Sequence, residues 1–335
     1  MSFFRKVIAA ALMVCMPAGG SFAQEMVFRI SLNTNPNHVR NIALESFVTK
    51  LSERTKGKLD VQVFPSGQLF KGPDVPKALA QGGIEMGVPI ILYLSRVVPN
   101  AGLLDLPMFF GRSIEEVHTV MDGSIGAELN AEIEKVIGVK ILGPYLDLGH
   151  GSIFTTDVPL NSLASLNGLK LRVPGSPAAK VRYNSLGVES VAISFSDVPI
   201  ALAQGSIDGL MTTHETIRSA QLWESGLKYS IDTQGTFYQY VPMIGKPTWE
   251  KLDADVQKII IETWAETVVG ARILAAERQT SARVEGQANG IKGVQATVEE
   301  LDALRVVLMA QQDDIVSSTR MDKAFVARAS AALGN

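Results

Sequence analysis

The segment Asn167–Pro174, NGLKLRVP, sets Arg172 among the apolar residues Leu169, Leu171 and Val173, at the end of what reads as a strand. A guanidinium presents two parallel N–H donors, stays charged at any relevant pH, and orients a carboxylate in a way that lysine does not. From these residues alone, Arg172 is equally a ligand contact or a strand-end residue that is exposed or paired within the protein. Covalent chemistry has little to work with. No HExxH, GxSxG, Walker or GxGxxG pattern is present, since GHGS at 149–152 and DGSIG at 122–126 both miss the nucleophile spacing. His38, His118, His150 and His214 are scattered along the chain, and the one cysteine, Cys15, falls in a segment expected to be removed. These residues argue against an enzyme and for non-covalent capture.

That removable segment is 1–23. Arg5 and Lys6 precede the apolar run Val7–Met16, and Ser21 and Ala23 supply the small residues of a cleavage site, the pattern of a secretory signal peptide too short to span a bilayer. What remains has no cysteine and must rely on burial of apolar side chains. At 335 residues and 46% apolar content, the chain has the material for two domains. Without Arg5 and Lys6, 29 basic residues face 34 acidic ones, a formal charge of −5. Such a balance gives nucleic acid or an anionic membrane surface no electrostatic reason to bind.

The elements that must position Arg172 follow from periodicity. Met26–Leu32 alternates as a strand, a helix is expected from about His38 to Thr55 before Lys56-Gly57, and Leu59–Phe64 is a second strand. This βαβ unit requires a parallel sheet with covered faces. Further strands are expected at Gly138–Leu142, Leu169–Val173 and Glu189–Ile193. Twelve residues are said nearly twice: DVPKALAQGGIE at 74–85 and DVPIALAQGSID at 197–208. In each copy an aspartate, Asp74 or Asp197, is expected to cap a helix, Pro76 or Pro199 is tolerated in the first turn, and glycine ends it. Strands Ile84–Val88 and Ile207–Thr212 should follow, so the copies read as equivalent elements of two similar α/β domains. From Leu252 to about Ala288 the apolar spacing is helical and proline is absent. One helix of that length spans on the order of 50 Å and would strap two domains together.

NGLKLRVP resembles the GLK(I/L)RVP signature of the solute-binding proteins of tripartite ATP-independent periplasmic (TRAP) transporters. It is flanked in the expected order by NHVRNIALESFVTKLSERTKGKLDVQVFPSGQL at 37–69, LDLPMFF at 104–110 and DVPIALAQGSIDG at 197–209. The resemblance covers essentially the whole mature chain. It implies an α/β, two-domain periplasmic-binding-protein fold with a ligand cleft between the domains. After the signal peptide, domain I would comprise 24–149 plus about 236–275, and domain II 150–235 plus about 276–335.

The resemblance also implies that Arg172 binds a carboxylate and that the loops after the two repeats reach the cleft, which nominates Pro89, Ile90, Thr212 and Thr213. Phe195 would pack on the ligand body, or else simply in the core. Asn33 and His38 would line the cleft, or else serve as a turn asparagine and a helix-capping histidine. Ser152 stands where some relatives carry a second arginine, and Ile90 where binders of acidic sugars place a glutamate. These differences favour a monocarboxylate, hydroxylated or aromatic, over a dicarboxylate. His150 could add a hydrogen bond or belong to a hinge, and one of Tyr238 and Tyr240 would face the pocket. The implied function is a periplasmic protein without cofactor that hands an organic acid to TRAP membrane subunits, as a monomer or as a homodimer through the long helix. A receptor of the same fold that feeds a signalling protein is the alternative.

Overall fold

A computed structural model describes residues 26–334; the expected signal peptide at 1–23, with Cys15, lies outside the described residues. The first βαβ unit forms where the alternation requires it: β1 (Met26–Ser31), α1 (Val39–Thr55) and β2 (Leu59–Phe64), with the strands parallel. Phe28 and Ile30 join Leu44, Phe47 and Leu51 in one core, and α1 ends at Lys56 and Gly57, both in the left-handed region. The lobe continues through α2 (Val75–Ala80), β3 (Met86–Gly87), α3 (Ile114–Met121), α4 (Ser124–Ile133) and β4 (Val139–Ile141).

The chain then leaves through β5 (Leu146–His150). A second lobe contains β6 (Ser152–Thr155), β7 (Lys170–Val173), α5 (Pro177–Asn184), β8 (Glu189–Ala192), α6 (Val198–Ala203), β9 (Gly209–Thr212), α7 (His214–Ser219) and β10 (Tyr229–Asp232). It returns through β11 (Phe237–Tyr240) to β12 (Met243–Gly245) and α8 (Lys246–Trp249). It ends with α9 (Ala254–Ala288), β13 (Lys292–Gln295), α10 (Val298–Met309), α11 (Gln312–Thr319) and α12 (Lys323–Ala332). The sheets run β2-β1-β3-β12-β4 and β13-β10-β6-β9-β7-β8, and β5 pairs with β11 as a two-stranded antiparallel ribbon between them. Neither large sheet is wholly parallel. A strand that re-enters from the ribbon runs the opposite way, so β12 is antiparallel to both β3 and β4.

The two copies of the repeat fold alike. α2 and α6 are each six residues long, are preceded by 3-10 turns (Gly72–Asp74 and Phe195–Asp197), and end at Gly82 and Gly205 in left-handed conformation. Neither aspartate caps its helix, contrary to expectation. The turn runs straight into the helix and leaves Asp74 and Asp197 at ψ −16° and −7°, helical rather than the extended conformation typical of a cap. The acid that closes each copy pins the adjacent strand: Glu85 accepts from the Arg29 N–H at 2.8 Å, and Asp208 from the Lys170 N–H at 2.7 Å. In register, Ile30 faces Met86 and Ser31 faces Gly87, while Leu171 faces Gly209 and Arg172 faces Leu210. Ser31 and Arg172 therefore occupy equivalent places in the two lobes.

α9 runs along both lobes. It packs on α1 and α7, and Trp264 is buried edge-on against Phe47 with its Nε1 donating to the Pro144 carbonyl. Further along, Arg272 pairs with Asp122 at 2.6 Å and Arg283 with Asp232 at 3.3 Å. The stretch 276–335, assigned to the second domain from sequence, divides: β13 joins the six-stranded sheet, whereas Phe325, Val326 and Ala329 of α12 are buried in the core shared with α3 and α4.

Candidate functional site

In β7, Leu171 and Val173 turn into the core of the second lobe, which leaves Arg172 on the opposite face of the strand. That face is covered by α6, with Leu210 packed among Val198 and Leu202, and at the C-terminal end of β7 Arg172 meets Asn33 and Ile90 of the first lobe across a cavity. Arg172 is only 3% exposed, its Nε donates to the Ile193 carbonyl at 2.9 Å, and its Cζ lies 5.9 Å from the centre of the Phe195 ring. Among the described residues it makes no ion pair. A buried guanidinium without a carboxylate is costly unless something anionic completes it.

Around it Asn33, Ile90, Phe195 and Thr212 border a single cavity, together with both Tyr238 and Tyr240 from the ribbon. The tyrosines share a face because they are two residues apart on β11, while Phe237 faces away. Gly151 makes room for Tyr238: a Cβ there would stand 2.6 Å from its ring. The Tyr238 hydroxyl is buried without a hydrogen-bond partner, and burial raises its pKa well above the ordinary tyrosine value. Tyr240 is pushed up to about 12, by burial against the opposing effect of Arg40. The space between these side chains is about 30 Å³, room for one or two waters.

Other candidates lie a layer behind this wall. His38 caps α1, its Nδ1 accepting from the Arg40 N–H at 3.2 Å, so its proton sits on Nε2, 3.3 Å from Thr216 Oγ1 and 3.4 Å from the Tyr240 hydroxyl. Burial first, then the charges of Arg40 and Arg218, hold its pKa well below the usual histidine value. Thr213 caps α7 by accepting from the Thr216 N–H. The Pro89 carbonyl accepts from the Val241 N–H and ties its loop to the ribbon side.

Ser152 and His150 belong elsewhere. Both border a larger cavity, about 550 Å³, on the other side of the ribbon, between α9 and the two lobes. Ser152 Oγ donates to Asp232 at 2.7 Å, and His150 Nε2 donates to the Arg112 carbonyl at 2.8 Å. His118 and His214 line the same cavity and are held by Asp147 and Asp232, each at 2.7 Å. Among the described residues no three His, Asp or Glu side chains converge as metal ligands.

Sequence reasoning missed Tyr93 in the cleft wall and two buried charges beside it. Glu215, from the second lobe, accepts from the Val39 N–H at the start of α1 at 3.0 Å and is held by Arg218 at 2.8 Å. Arg40 is 2% exposed and has its guanidinium over the Tyr240 ring at 4.2 Å. Both sit on stretches that read as ordinary charged helix surface.

The model of the family described as bacterial extracellular solute-binding protein, family 7 (DctP), matches residues 30–318. A solute-binding protein of Roseobacter denitrificans is 29% identical over 268 residues, covering 79% of this chain and 81% of its own. A crystal structure of a TRAP solute-binding protein from that organism, with L-galactonate bound, is similar to this fold with a TM-score of 0.81 at 25% identity, covering 92% of this chain and 99% of that one. The C4-dicarboxylate-binding periplasmic protein DctP of Rhodobacter capsulatus is 26% identical over 309 residues, 92% of this chain and 90% of its own. With the cleft, the ribbon and a family match over most of the described residues, the chain belongs to bacterial extracellular solute-binding protein family 7, the DctP family of TRAP transporter solute-binding proteins.

Proposed function

We propose that this protein works in the periplasm, captures an organic monocarboxylate on Arg172, encloses it by closure of the two lobes, and delivers it to TRAP membrane subunits. The observation that carries this reading is the guanidinium itself, buried between the lobes with no acid paired to it among the described residues. The unpartnered Tyr238 hydroxyl beside it is a second group in want of a polar ligand atom. Relatives in the same family are described with galactonate, or named for C4-dicarboxylates. For this chain a single carboxylate is favoured. Ser152 faces away from the cleft and is bonded to Asp232, while both Nη atoms of Arg40 are committed within the protein. An unmatched second anion enclosed there would cost several kcal/mol.

A space of about 30 Å³ does not admit such an acid, so entry requires the lobes to part about β5 and β11, with boundaries near 149/150 and 235/236. Binding shifts this equilibrium only by the ligand's preference for the closed state. A thermal-shift screen against mono- and dicarboxylates tests the reading, since a ligand at 100 times its Kd adds about 2.7 kcal/mol of stability. Stabilisation by mono-acids, with the ligand recovered unaltered after long incubation, is expected. A flat screen overturns the proposal.

A further inference from the structure

Arg40 is the second guanidinium in this region that no carboxylate neutralises among the described residues. Its Nη1 donates to the Val88 carbonyl at 2.8 Å, and its Nη2 to Asn33 Oδ1 at 2.8 Å and to Thr34 Oγ1 at 2.6 Å; Nε has no partner. All of these acceptors are neutral. A buried cation held in this way is a poor device for stability, because an apolar side chain of similar volume would do as well or better. Its geometry does something an apolar side chain cannot.

A guanidinium is donor on every edge, so the group that meets it must be an acceptor. Asn33 therefore turns its Oδ1 toward Arg40 and keeps Nδ2 as the free donor of a side chain that borders the cleft. Thr34, also on the cleft wall, accepts from Arg40 and donates its own hydrogen to Asn41 Oδ1, so its hydroxyl is committed in both directions. Asn41 in turn donates to the Thr34 carbonyl at 3.2 Å, which closes the network. The first lobe thus offers a fixed amide donor within a positive field, opposite the lobe that carries Arg172.

We infer that Arg40 is a positioning residue for ligand discrimination: by holding the Asn33 amide in one orientation it makes the first lobe select acids whose body carries a hydroxyl or keto oxygen, and disfavour those with an ammonium there. This rests on the carboxylate reading of Arg172. An oxygen on the ligand body accepts from Nδ2, a bare methylene leaves that donor unpaired, and an ammonium sets donor against donor.

The test uses matched acids: propionate, lactate and alanine; phenylacetate, mandelate and phenylglycine; hexanoate and gluconate. Titration calorimetry with the wild-type protein is expected to show, in at least one set, the hydroxy acid binding tenfold or more tighter than its deoxy partner, and the amino acid no tighter than the deoxy acid. Asn33→Ala and Arg40→Met should each shrink that ratio to threefold or less, chiefly by weakening the hydroxy acid. The double variant should shrink it no further, since the two residues act as one unit. Arg40→Lys, which keeps a buried charge but lacks the planar fork, guards against a misfolded Arg40→Met and should also relax the ratio. If wild type binds acids without preferring the hydroxylated member of any set, or if the Arg40 variants weaken all acids alike and keep the ratio, the inference is overturned while the carboxylate reading stands. If no acid binds at all, both fall.

Discussion

At 74–85 the chain builds a six-residue helix, a left-handed glycine and a strand pinned by an acid, and at 197–208 it builds the same unit again. Beyond the copies the lobes diverge. Ile90 borders the cleft in the first lobe, yet the residue equivalent to it, Thr213, caps α7 in the second; there Thr212 is the cleft residue, because β9 extends to Thr212 while β3 stops at Gly87. The strand positions differ in kind as well. Ser31, small and buried, stands where the second lobe has Arg172. Repetition supplies the scaffold, and the chemistry of each wall is set by the few residues outside the repeated stretch. The helices that follow these strands repeat the lesson: α1 is capped by His38, which titrates, and α5 by Ser176, which does not.

The sharpest way to break this comparison is to exchange chemistry at equivalent places. Arg172→Ala is expected to cost about 3 kcal/mol or more of affinity for the acid found in the screen. Its unfolding midpoint in denaturant should be unchanged or higher, since an uncompensated buried charge is lost. Ser31→Ala, at the matching place, should leave the titration curve where it was. A full-affinity Arg172→Ala variant would remove the asymmetry on which the functional reading rests.

The capping residues separate the lobes by pH. The folded protein holds His38 neutral, while the unfolded chain takes up a proton below about pH 6.5. The stability contributed by the neutral ring is therefore complete above that value and declines as pH falls below it. His150, also held below its ordinary range by burial, acts in the same direction. Urea unfolding of His38→Asn, which caps without titrating, should show a shallower loss between pH 7 and 5 than wild type, and Ser176→Ala should not alter the slope.

Smaller effects are expected at the two acids that close the repeats. Glu85→Ala and Asp208→Ala should each destabilise by about 1 to 2 kcal/mol, the larger loss at Glu85, which also receives Arg29 Nε and Nη2. Smallest of all is the exchange of Lys77 and Ile200, the one pronounced difference between the copies. Both lie on exposed helix faces, so Lys77→Ile with Ile200→Lys should shift the denaturation midpoint by less than about 0.5 kcal/mol and leave affinity unchanged.

Local periodicity made much of this fold legible. α1, β2 and the long helix fall within two residues of where apolar spacing sets them, and the 123-residue offset of the repeats carries through to the glycine turns. What local pattern could not carry was pairing between distant segments. β12 lies between β3 and β4 through contacts such as Met86 with Ile244, which leave no trace in either short stretch. The cleft divides in the same manner. Arg172, Asn33, Phe195, Ile90 and Thr212 are expected at the cleft from sequence and border one cavity, but Arg40 is the second residue of a charged helix and reads as solvated. Its place beneath the Tyr240 ring and against the Val88 carbonyl, both distant in sequence, removes it from water.

Two adjacent strands, the long helix and the run of chain from β13 back to α12 cross between the lobes, and the first two have a mechanical meaning. A pair of side-by-side ribbons flexes easily about the line across them and resists twist, as the binding of a book does. α9, fastened to each cover by an arginine, is a stiff spine against sliding. The opening proposed for ligand entry would turn near this spine, so that a small angle there is magnified into a wide gape at the far edge.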